Sequence, residues 1–320
     1  MTYYYMFIIF FMVLAYLWQA VRDKKLAQFA KATGVCLVAA VLGVVVNLSN
    51  LYHTWQYTQE SMRGKSELVK KNSANQTNSG LDRDYITQWS YGIDETWTLL
   101  VPNIKGGASV PLASNEKAME KADPQFYQVY QQMGQYWGNQ PGTSGPVYVG
   151  AFVFMLFILG LFIVKGPIKW ALFAATVLSV LLSWGRNFMW FTDLFLDYMP
   201  MYAKFRTVAS ILVIAEFTIP LLAMLALKEL LQNPKSLDEK VTVRERVINF
   251  IFFTPLGAVA TKRRDYLWIS FALSAGCAFL FAIMPSVFFP DFISLSEMEA
   301  LKQIPSEYLG PLIANLREIG

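Results

Sequence analysis

The sequence predicts an all-α polytopic membrane protein, from its composition, its long apolar runs and the placement of its basic residues. The chain of 320 residues is 55% hydrophobic and only 16% charged, whereas a soluble domain carries about a quarter charged residues. Its apolar residues form runs close to the roughly 20 residues that cross the hydrocarbon of a bilayer. Lipid offers no partners to backbone N–H and C=O groups, so such runs are predicted to cross as helices.

Six apolar runs predict about six transmembrane helices. The net charge of +4 is modest and is typical of basic loops on the cytoplasmic side, not of a nucleic-acid-binding protein. The predicted spans cover Tyr3–Ala20, Ala30–Leu48, Val147–Val164, Ile168–Trp184, Thr207–Leu227 and Tyr266–Pro285.

Short connections that carry Lys and Arg orient these spans, because such connections stay on the cytoplasmic side. Basic residues cluster in the first connection, at Lys165 and Lys169 in the third, and in the loop 228–265. All three connections are therefore predicted to be cytoplasmic. Both ends of the chain then face outward. The sequence divides into two spans (1–48), an extracytoplasmic cap loop (49–146), four spans with a short outer interfacial helix near 187–203 (147–285), and an extracytoplasmic helical segment (286–320).

The cap loop 49–146 is too long to be structureless, so we expect mixed helix and extended segments folded over the membrane domain. Thr96–Ile104 has the pattern of an extended segment. Asp123 followed by Pro124 predicts the start of a helix, as N-cap and first helical residue. The apolar residues that follow, within 126–137, share one helical face. They predict an amphipathic helix on the membrane surface or against the span ends.

An acidic and aromatic stretch of the cap, LDRDYITQWSYGIDETW (81–97), predicts a site for a sugar or a polar head group. Asp94, Glu95 and Trp97 are its candidate residues, because carboxylates bind hydroxyls or act as a base and aromatic faces stack on sugar rings. The alternative is an ordinary cap whose carboxylates face water and whose aromatic residues line the membrane interface. Asp82 is predicted to belong to a turn.

Three cations at the outer ends of predicted spans form a second candidate site. Arg186 follows the fourth span, and Lys204 and Arg206 precede the fifth. Together they could hold a phosphate or diphosphate head group, which Arg contacts bidentately. The alternative is that they extend towards lipid phosphates as membrane anchors. Asp193 and Asp197 lie four residues apart and are predicted to form the wet side of the interfacial helix.

The remaining polar residues within or beside apolar runs carry weaker indications. Glu216 lies inside the fifth span, where a carboxylate is by default a functional hypothesis; the alternative is a hydrogen bond to a neighbouring helix. His53 lies just outside the second span and is predicted to be structural. Cys36 and Cys277 lie in apolar runs and show neither disulfide nor metal-ligand spacing. The sequence indicates no cofactor, and a divalent metal is left open without support.

Several motifs occur in order along the chain: NLSNLYHTWQYTQESMRGKSEL, GLDRDYITQWSYGIDETWTLLVPN, GGASVPL, QPGTSGPVYVGAF and MYAKFRTVASILVIAEF. Together they resemble the YfhO-like membrane protein family as it occurs in Bacteroidetes. That family is similar to the GT-C glycosyltransferases, multi-span enzymes that use a polyprenyl-phosphate sugar donor on the outer face. The resemblance implies a multi-pass protein of the bacterial inner membrane, with membrane lipid, a polyprenyl-phosphate-linked sugar and an envelope polymer as partners.

The resemblance also implies that this chain is a fragment that lacks the N-terminal spans and the C-terminal part of the family. Full members are more than twice as long, and their first outer loop carries the catalytic Asp of a GT-C enzyme. The general base is then expected outside this chain, and the fragment is expected to be inactive alone. Two other classes stay open: a transporter or flippase of lipid-linked sugars, and a non-catalytic envelope assembly protein.

Overall fold

A computed structural model describes residues 2–61, 75–77, 81–252, 259–289, 292–302 and 304–319. Within these ranges the chain is helical and forms no β-strand, which confirms the predicted all-α class. The α-helices are α1 Thr2–Arg22, α2 Leu26–Val46, α3 Leu48–Glu60, α4 Arg83–Ile86, α5 Glu116–Met119, α6 Tyr127–Gln132, α7 Ala151–Ile163, α8 Ile168–Ser183, α9 Met189–Tyr198, α10 Val213–Gln232, α11 Val243–Phe252, α12 Arg263–Phe271, α13 Cys277–Ile283, α14 Pro285–Phe288, α15 Leu295–Leu301 and α16 Ser306–Ile319. The 3₁₀ turns are Thr87–Trp89, Asp94–Leu99, Leu112–Ser114, Pro124–Phe126, Gly185–Phe188, Tyr202–Lys204, Val208–Leu212 and Pro234–Asp238, and a π-helical segment covers Ala272–Gly276.

In the part of the chain that the structure describes, four helical segments are long and apolar enough to cross a membrane. They correspond to the first, second, fifth and sixth predicted spans. The third predicted span is represented by the 13-residue helix α7, and the fourth by α8, which joins α9 at a bend of 107°. Counting that bent pair as one span gives up to five spans in the described residues. The four long segments are Tyr3–Arg22, Leu26–Val46, Val208–Gln232 and Arg263–Ile283.

The chain forms two compact units, and the first comprises Met1–Ser90 and Val164–Thr218. Its core forms where α8 packs on α1 and on the turn Val208–Leu212. On α1 the buried side chains Tyr4, Phe7 and Ile8 have the i, i+3, i+4 spacing of one helical face. The opposite face of α1 is exposed, as expected of a helix that meets lipid on one side.

Glycine makes the bend between α8 and α9 sterically accessible. Gly185 has a φ of +46°, and a Cβ built there would lie 2.1 Å from the Ser90 Oγ atom. The Thr192 hydroxyl donates to the Gly185 carbonyl oxygen at 3.0 Å, which closes the bend on the next helix. A helix in the predicted interfacial region 187–203 is therefore present as α9.

In α2 and α3 no residue is buried. The two helices meet at Asn47, whose side-chain amide donates to the Gly43 carbonyl oxygen at 3.0 Å. Such a local bond competes with the helical ladder and favours a break. Helical structure thus continues to Glu60, into the segment that the sequence assigned to the cap.

The second unit comprises Tyr91–Ile163 and Ile219–Gly320. Its apolar helices meet closely at α7: the Phe162 ring stacks on Tyr266 at 4.6 Å, and Gly160 lies against Leu222. The helix α7 begins only at Ala151 because Gly150, with a φ of +97°, turns the chain just before it. The region between α10 and α12 folds on itself, with Arg263 paired to Glu239 and Glu245 at 2.7 Å each.

The predicted extended segment Thr96–Ile104 is wrong: Asp94–Leu99 is a 3₁₀ helix. Local hydrogen bonds favour the turn, since the Gly92 N–H donates to the Glu95 carboxylate at 3.0 Å and the Leu100 N–H donates to the Trp97 carbonyl oxygen at 2.9 Å. The apolar side chains of this segment suggested a strand, but in the structure the leucines among them are buried as parts of the turn.

The predicted helix start at Asp123 is confirmed, because its carboxylate accepts from the Gln125 N–H at 2.9 Å and Pro124 follows. The apolar face that follows packs on α16, whereas the sequence predicted a membrane surface or the span ends as its partner. Tyr130 and Leu312 are fully buried at this contact. In water, burying a large apolar side chain contributes roughly 1.5–3 kcal/mol, which favours this partner. Asn315 of α16 adds a tie, accepting from the Tyr130 hydroxyl at 2.6 Å.

We predict that Gly160→Ala destabilises the second unit by about 1–3 kcal/mol, the usual cost of overpacking a tight contact. A Cβ at this position would lie 2.9 Å from both the carbonyl oxygen and the Cγ of Leu222, so the helices would have to move apart. The measurement is the thermal unfolding midpoint of the purified protein in a fixed detergent. Gly276→Ala is the matched control, because nothing lies within 4 Å of an added Cβ there. Equal midpoints for the two variants would show that the α7–α10 contact yields without cost.

Candidate functional site

The three predicted cations, Arg186, Lys204 and Arg206, lie around the short segment Leu81–Ser90 of the first unit. We call this arrangement of three basic residues the cation site. The segment folds as α4 followed by the 3₁₀ turn Thr87–Trp89, and Ile86 and Ser90 are buried. Two hydroxyls close the turns: Thr87 donates to the Arg83 carbonyl oxygen at 2.9 Å, and Ser90 to the Thr87 carbonyl oxygen at 2.6 Å. Asp82 precedes this turn as its N-terminal flanking residue.

Arg83 ties this segment to α9. Its guanidinium donates to Asp193 at 2.9 Å, to Asp197 and to the Gln76 carbonyl oxygen. Burial opposes the charge, but the hydrogen bonds and the charges of the two carboxylates outweigh it and raise the pKa of Arg83. Asp193 and Asp197 were interpreted as the wet side of a helix; both also bind Arg83, which the sequence analysis missed. The available signal was the i, i+4 spacing of the two carboxylates.

Arg206 rests on the aromatic residues of the same segment. The guanidinium carbon lies 4.8 Å from the centre of the Tyr85 ring and 4.3 Å from that of Trp89. An exposed cation–π contact contributes about 0.5–1 kcal/mol, so two such contacts roughly offset the ~2 kcal/mol of rotamer entropy in an Arg side chain. The side chain is exposed, and no carboxylate of the described residues pairs with it. Its N–H donors can therefore meet an anion from outside.

Arg186 and Lys204 flank the same segment. The Arg186 N–H donates to the Ser90 hydroxyl at 2.9 Å, and its side chain is exposed. Lys204 ends the turn Tyr202–Lys204, where the Leu81 N–H donates to the Ala203 carbonyl oxygen at 3.0 Å. The structure thus brings all three predicted cations next to residues 81–90.

The backbone on either side of Lys204 and Arg206 adopts an unusual conformation. Met201 has a φ of +64° and Thr207 a φ of +76°. A β-branched residue in the left-handed region is a genuine outlier, and such conformations cost on the order of 1–3 kcal/mol each. The buried neighbours Tyr202 and Val208 hold the segment in place. Strain of this kind clusters at binding and catalytic sites.

The predicted acceptor residues lie in the second unit and differ among themselves. Glu95 is 2% exposed and accepts hydrogen bonds from the Tyr136 hydroxyl at 2.7 Å, the Gln140 amide at 3.2 Å and the Gly92 N–H at 3.0 Å. Burial, and then the charge of Glu95, raise the pKa of Tyr136. Glu95 therefore holds the turn together from the inside.

Asp94 and Trp97 are the accessible members of this set. Trp97 is 39% exposed and meets the Phe281 ring edge-on at 5.1 Å. Asp94 forms an ion pair with Lys105, a buried cation that the sequence analysis missed. The Lys105 ammonium lies 4.3 Å from the centre of the Trp137 ring. The sequence signal for Lys105 was the glycine pair that follows it, Gly106 and Gly107, which indicates a tight turn. In the structure both glycines have a φ above +80°.

The other candidates stand apart from both sets. Glu216 lies in the first turn of α10 and is exposed, and no hydrogen bond joins it to a helix of the described chain. His53 is exposed on α3 beside the Tyr52 ring, 5.7 Å away between ring centres. Cys36 and Cys277 are free thiols. Among the described residues no group of three or more His, Cys, Asp or Glu side chains could hold a metal ion.

No family model, no curated protein and no solved structure matches this chain. The resemblance to the YfhO-like family thus stays a prediction.

We predict that Tyr136→Phe lowers the stability of the second unit by about 1–3 kcal/mol, the cost of leaving a buried charged acceptor short of a donor. Glu95 keeps its other two donors, so the fold survives. The measurement is amide hydrogen exchange of residues 92–100. Tyr127→Phe is the control, because Tyr127 is 47% exposed. Unchanged exchange in Tyr136→Phe would mean that the Glu95 network does not hold the turn.

Proposed function

We propose that the protein is part of a membrane glycosyltransferase-like protein that transfers a sugar from a polyprenyl-phosphate donor to a cell-envelope polymer. In this proposal Arg206, Lys204 and Arg186 bind the donor phosphate on the outer face of a bacterial inner membrane. The observation that carries the proposal is the exposed Arg206 guanidinium held over Tyr85 and Trp89, with Arg186 and the residue before Lys204 bonded to the same segment through their backbone.

The position of these cations favours a lipid-borne phosphate. Arg206 comes two residues before the apolar segment Val208–Gln232, and Arg186 lies in the 3₁₀ turn Gly185–Phe188 just after α8. A head group at the membrane boundary would lie at this depth. Transfer of the sugar leaves a phosphate dianion, and cations fixed in advance stabilise charge that develops in the transition state. Ordinary lipid anchoring would not require the backbone strain at Met201 and Thr207.

For the acceptor we propose Asp94, Glu95 and Trp97, with divided roles. Trp97 offers a partly exposed ring to a sugar, and Asp94 an oxygen at the surface. Glu95 has three protein donors and acts by shaping the turn that presents the other two.

For topology we propose six spans with both ends of the chain outside. The outer segment around Tyr130 and the helix α16 share a buried core, so they lie on the same side of any membrane. The chain between them then crosses an even number of times. Val208–Gln232 and Arg263–Ile283 supply two crossings, so α7 and α8 either both cross or both do not. Two apolar helices in sequence, separated by a short basic connection, favour crossing.

A transporter or flippase of lipid-linked sugars is the second candidate. The bend of 107° between α8 and α9 favours it, because broken helices are a feature of transporter sites. Both candidates bind a lipid-linked phosphate, but only the enzyme makes a new glycosidic bond. A non-catalytic envelope assembly protein would need neither a bound lipid-linked phosphate nor the formation of a glycosidic bond.

We predict that Gln128→Cys is labelled by a membrane-impermeant maleimide added outside intact cells, whereas Lys235→Cys is spared. Both positions are exposed, so access depends on the side of the membrane. The background carries Cys36→Ser and Cys277→Ser. After permeabilisation both variants should react equally, which controls for accessibility. The reverse labelling pattern would overturn the proposed orientation.

We predict that Arg206→Ala raises the barrier to sugar transfer by about 2–4 kcal/mol, the scale of losing one preorganised charge-stabilising group. Arg206→Lys should recover only part, because the bidentate fork is lost. The assay is sugar incorporation into envelope polymer in cells that carry the change at the chromosomal locus.

The matched control for this experiment is Arg317→Ala, which removes an exposed Arg that also rests on an aromatic ring, that of Phe292 at 5.3 Å. It should leave incorporation unchanged. Protein level in the membrane is measured in every strain. If Arg206→Ala incorporates sugar like the unaltered strain at equal protein level, Arg206 is a lipid anchor and the phosphate site is wrong.

A further inference from the structure

We infer that Arg83 is a positioning residue for the cation site, because it fixes the aromatic support on which Arg206 rests. The ligand of that site rests on the proposed function. The positioning itself is a property of contacts within the first compact unit, and it can be measured without any ligand.

Arg83 fastens one face of α4. Its guanidinium reaches Asp193 and Asp197, which lie one helical turn apart on α9, and it also binds the Gln76 carbonyl oxygen. The Arg83 side chain is 17% exposed. Three tethers on one half-buried side chain leave α4 little freedom relative to α9.

The opposite face of the same turn supports Arg206. Residues two apart on a helical turn point in different directions, so Tyr85 projects away from the Arg83 contact. The Arg206 guanidinium lies over the Tyr85 ring at 4.8 Å and over the Trp89 ring at 4.3 Å. The one-turn helix α4 thus separates the carboxylates of α9 from the cation Arg206.

The chain between these contacts forms a closed loop. From Asp197 it runs through the left-handed Met201 to Ala203, whose carbonyl oxygen accepts from the Leu81 N–H at 3.0 Å, and then to Arg206. We call the contact of Arg83 with Asp193 and Asp197 the Arg83 clamp. The clamp and this backbone bond hold the two sides of the loop together. Because two ring contacts bind an exposed Arg weakly, the orientation of Arg206 depends on how firmly its support is held.

The first experiment measures the support directly by ¹⁹F NMR of 5-fluorotryptophan-labelled protein in detergent. The chain has nine Trp residues, and the Trp89 signal is assigned with Trp89→Phe. Arg206→Ala gives the shift of Trp89 without its cation. In Arg83→Ala we expect the Trp89 signal to move towards that position, while the Trp137 signal, which reports the Lys105 contact, stays in place.

The second experiment titrates farnesyl monophosphate into the same protein samples. We expect Arg83→Ala to weaken binding by about tenfold, and Arg206→Ala by at least as much. The double variant Asp193→Asn with Asp197→Asn removes the clamp from the other side, so it should reproduce both effects. If Arg83→Ala fails to accumulate in the membrane, this double variant tests the role of Arg83 in its place.

Arg263→Ala is the matched control, because Arg263 also bridges two carboxylates, Glu239 and Glu245, but lies in the second unit. It should change neither the Trp89 signal nor the affinity. An unmoved Trp89 signal in both clamp variants would overturn the role of Arg83. A normal affinity of Arg206→Ala would instead defeat the proposed phosphate site and leave the Trp89 result to decide on Arg83.

Discussion

Charges removed from water need partners, and the polar turns of both compact units are arranged around such pairs. Within a membrane, lipid accommodates an apolar side chain as well as another helix does, so apolar contact alone gives little force for association. The positions of the loops at the helix ends therefore depend on specific hydrogen bonds and ion pairs. Arg83 binds Asp193 and Asp197 across 110 and 114 residues of sequence, and Glu95 binds Tyr136 across 41. Loss of one of its donors leaves the buried Glu95 carboxylate short of a partner, which costs more than the bond itself contributes.

Local pattern was enough to predict the elements whose cause is local. Apolar runs define the helices α1, α2 and the long segments that end at Gln232 and Ile283, because the length of a span is a property of the run itself. The Asp123–Pro124 helix start was likewise predictable, since the cap bonds its own neighbours. The segment Thr96–Ile104 failed because its apolar residues suit a strand and a buried turn equally well, and the Glu95 network decided between them.

The candidate site could be predicted in its residue types but not in its partners. Arg186, Lys204 and Arg206 were recognisable from their place beside apolar runs. Their support could not be, because the Trp89 ring and the Arg206 guanidinium belong to segments 117 residues apart, and a single sequence carries no record of that pairing. The amphipathic face around Tyr130 shows the same limit: periodicity reveals that a face will be buried, but not whether α16 or a membrane covers it.

The two candidate sets differ in how many of their polar groups are already bonded to other groups of the protein. Glu95 uses both carboxylate oxygens on internal donors, and Asp94 is paired with Lys105. Both carboxylates already accept bonds that shape the turn, and a proton taken from an acceptor hydroxyl would weaken those bonds. Arg206, in contrast, is supported among the described residues by the ring faces of Tyr85 and Trp89, which leaves its donors for an external anion. The described residues are thus better suited to hold a phosphate and orient an acceptor than to act as a base. Phosphate binding therefore tests the proposal at its best-supported step, and transfer in the cell tests whether a base completes it.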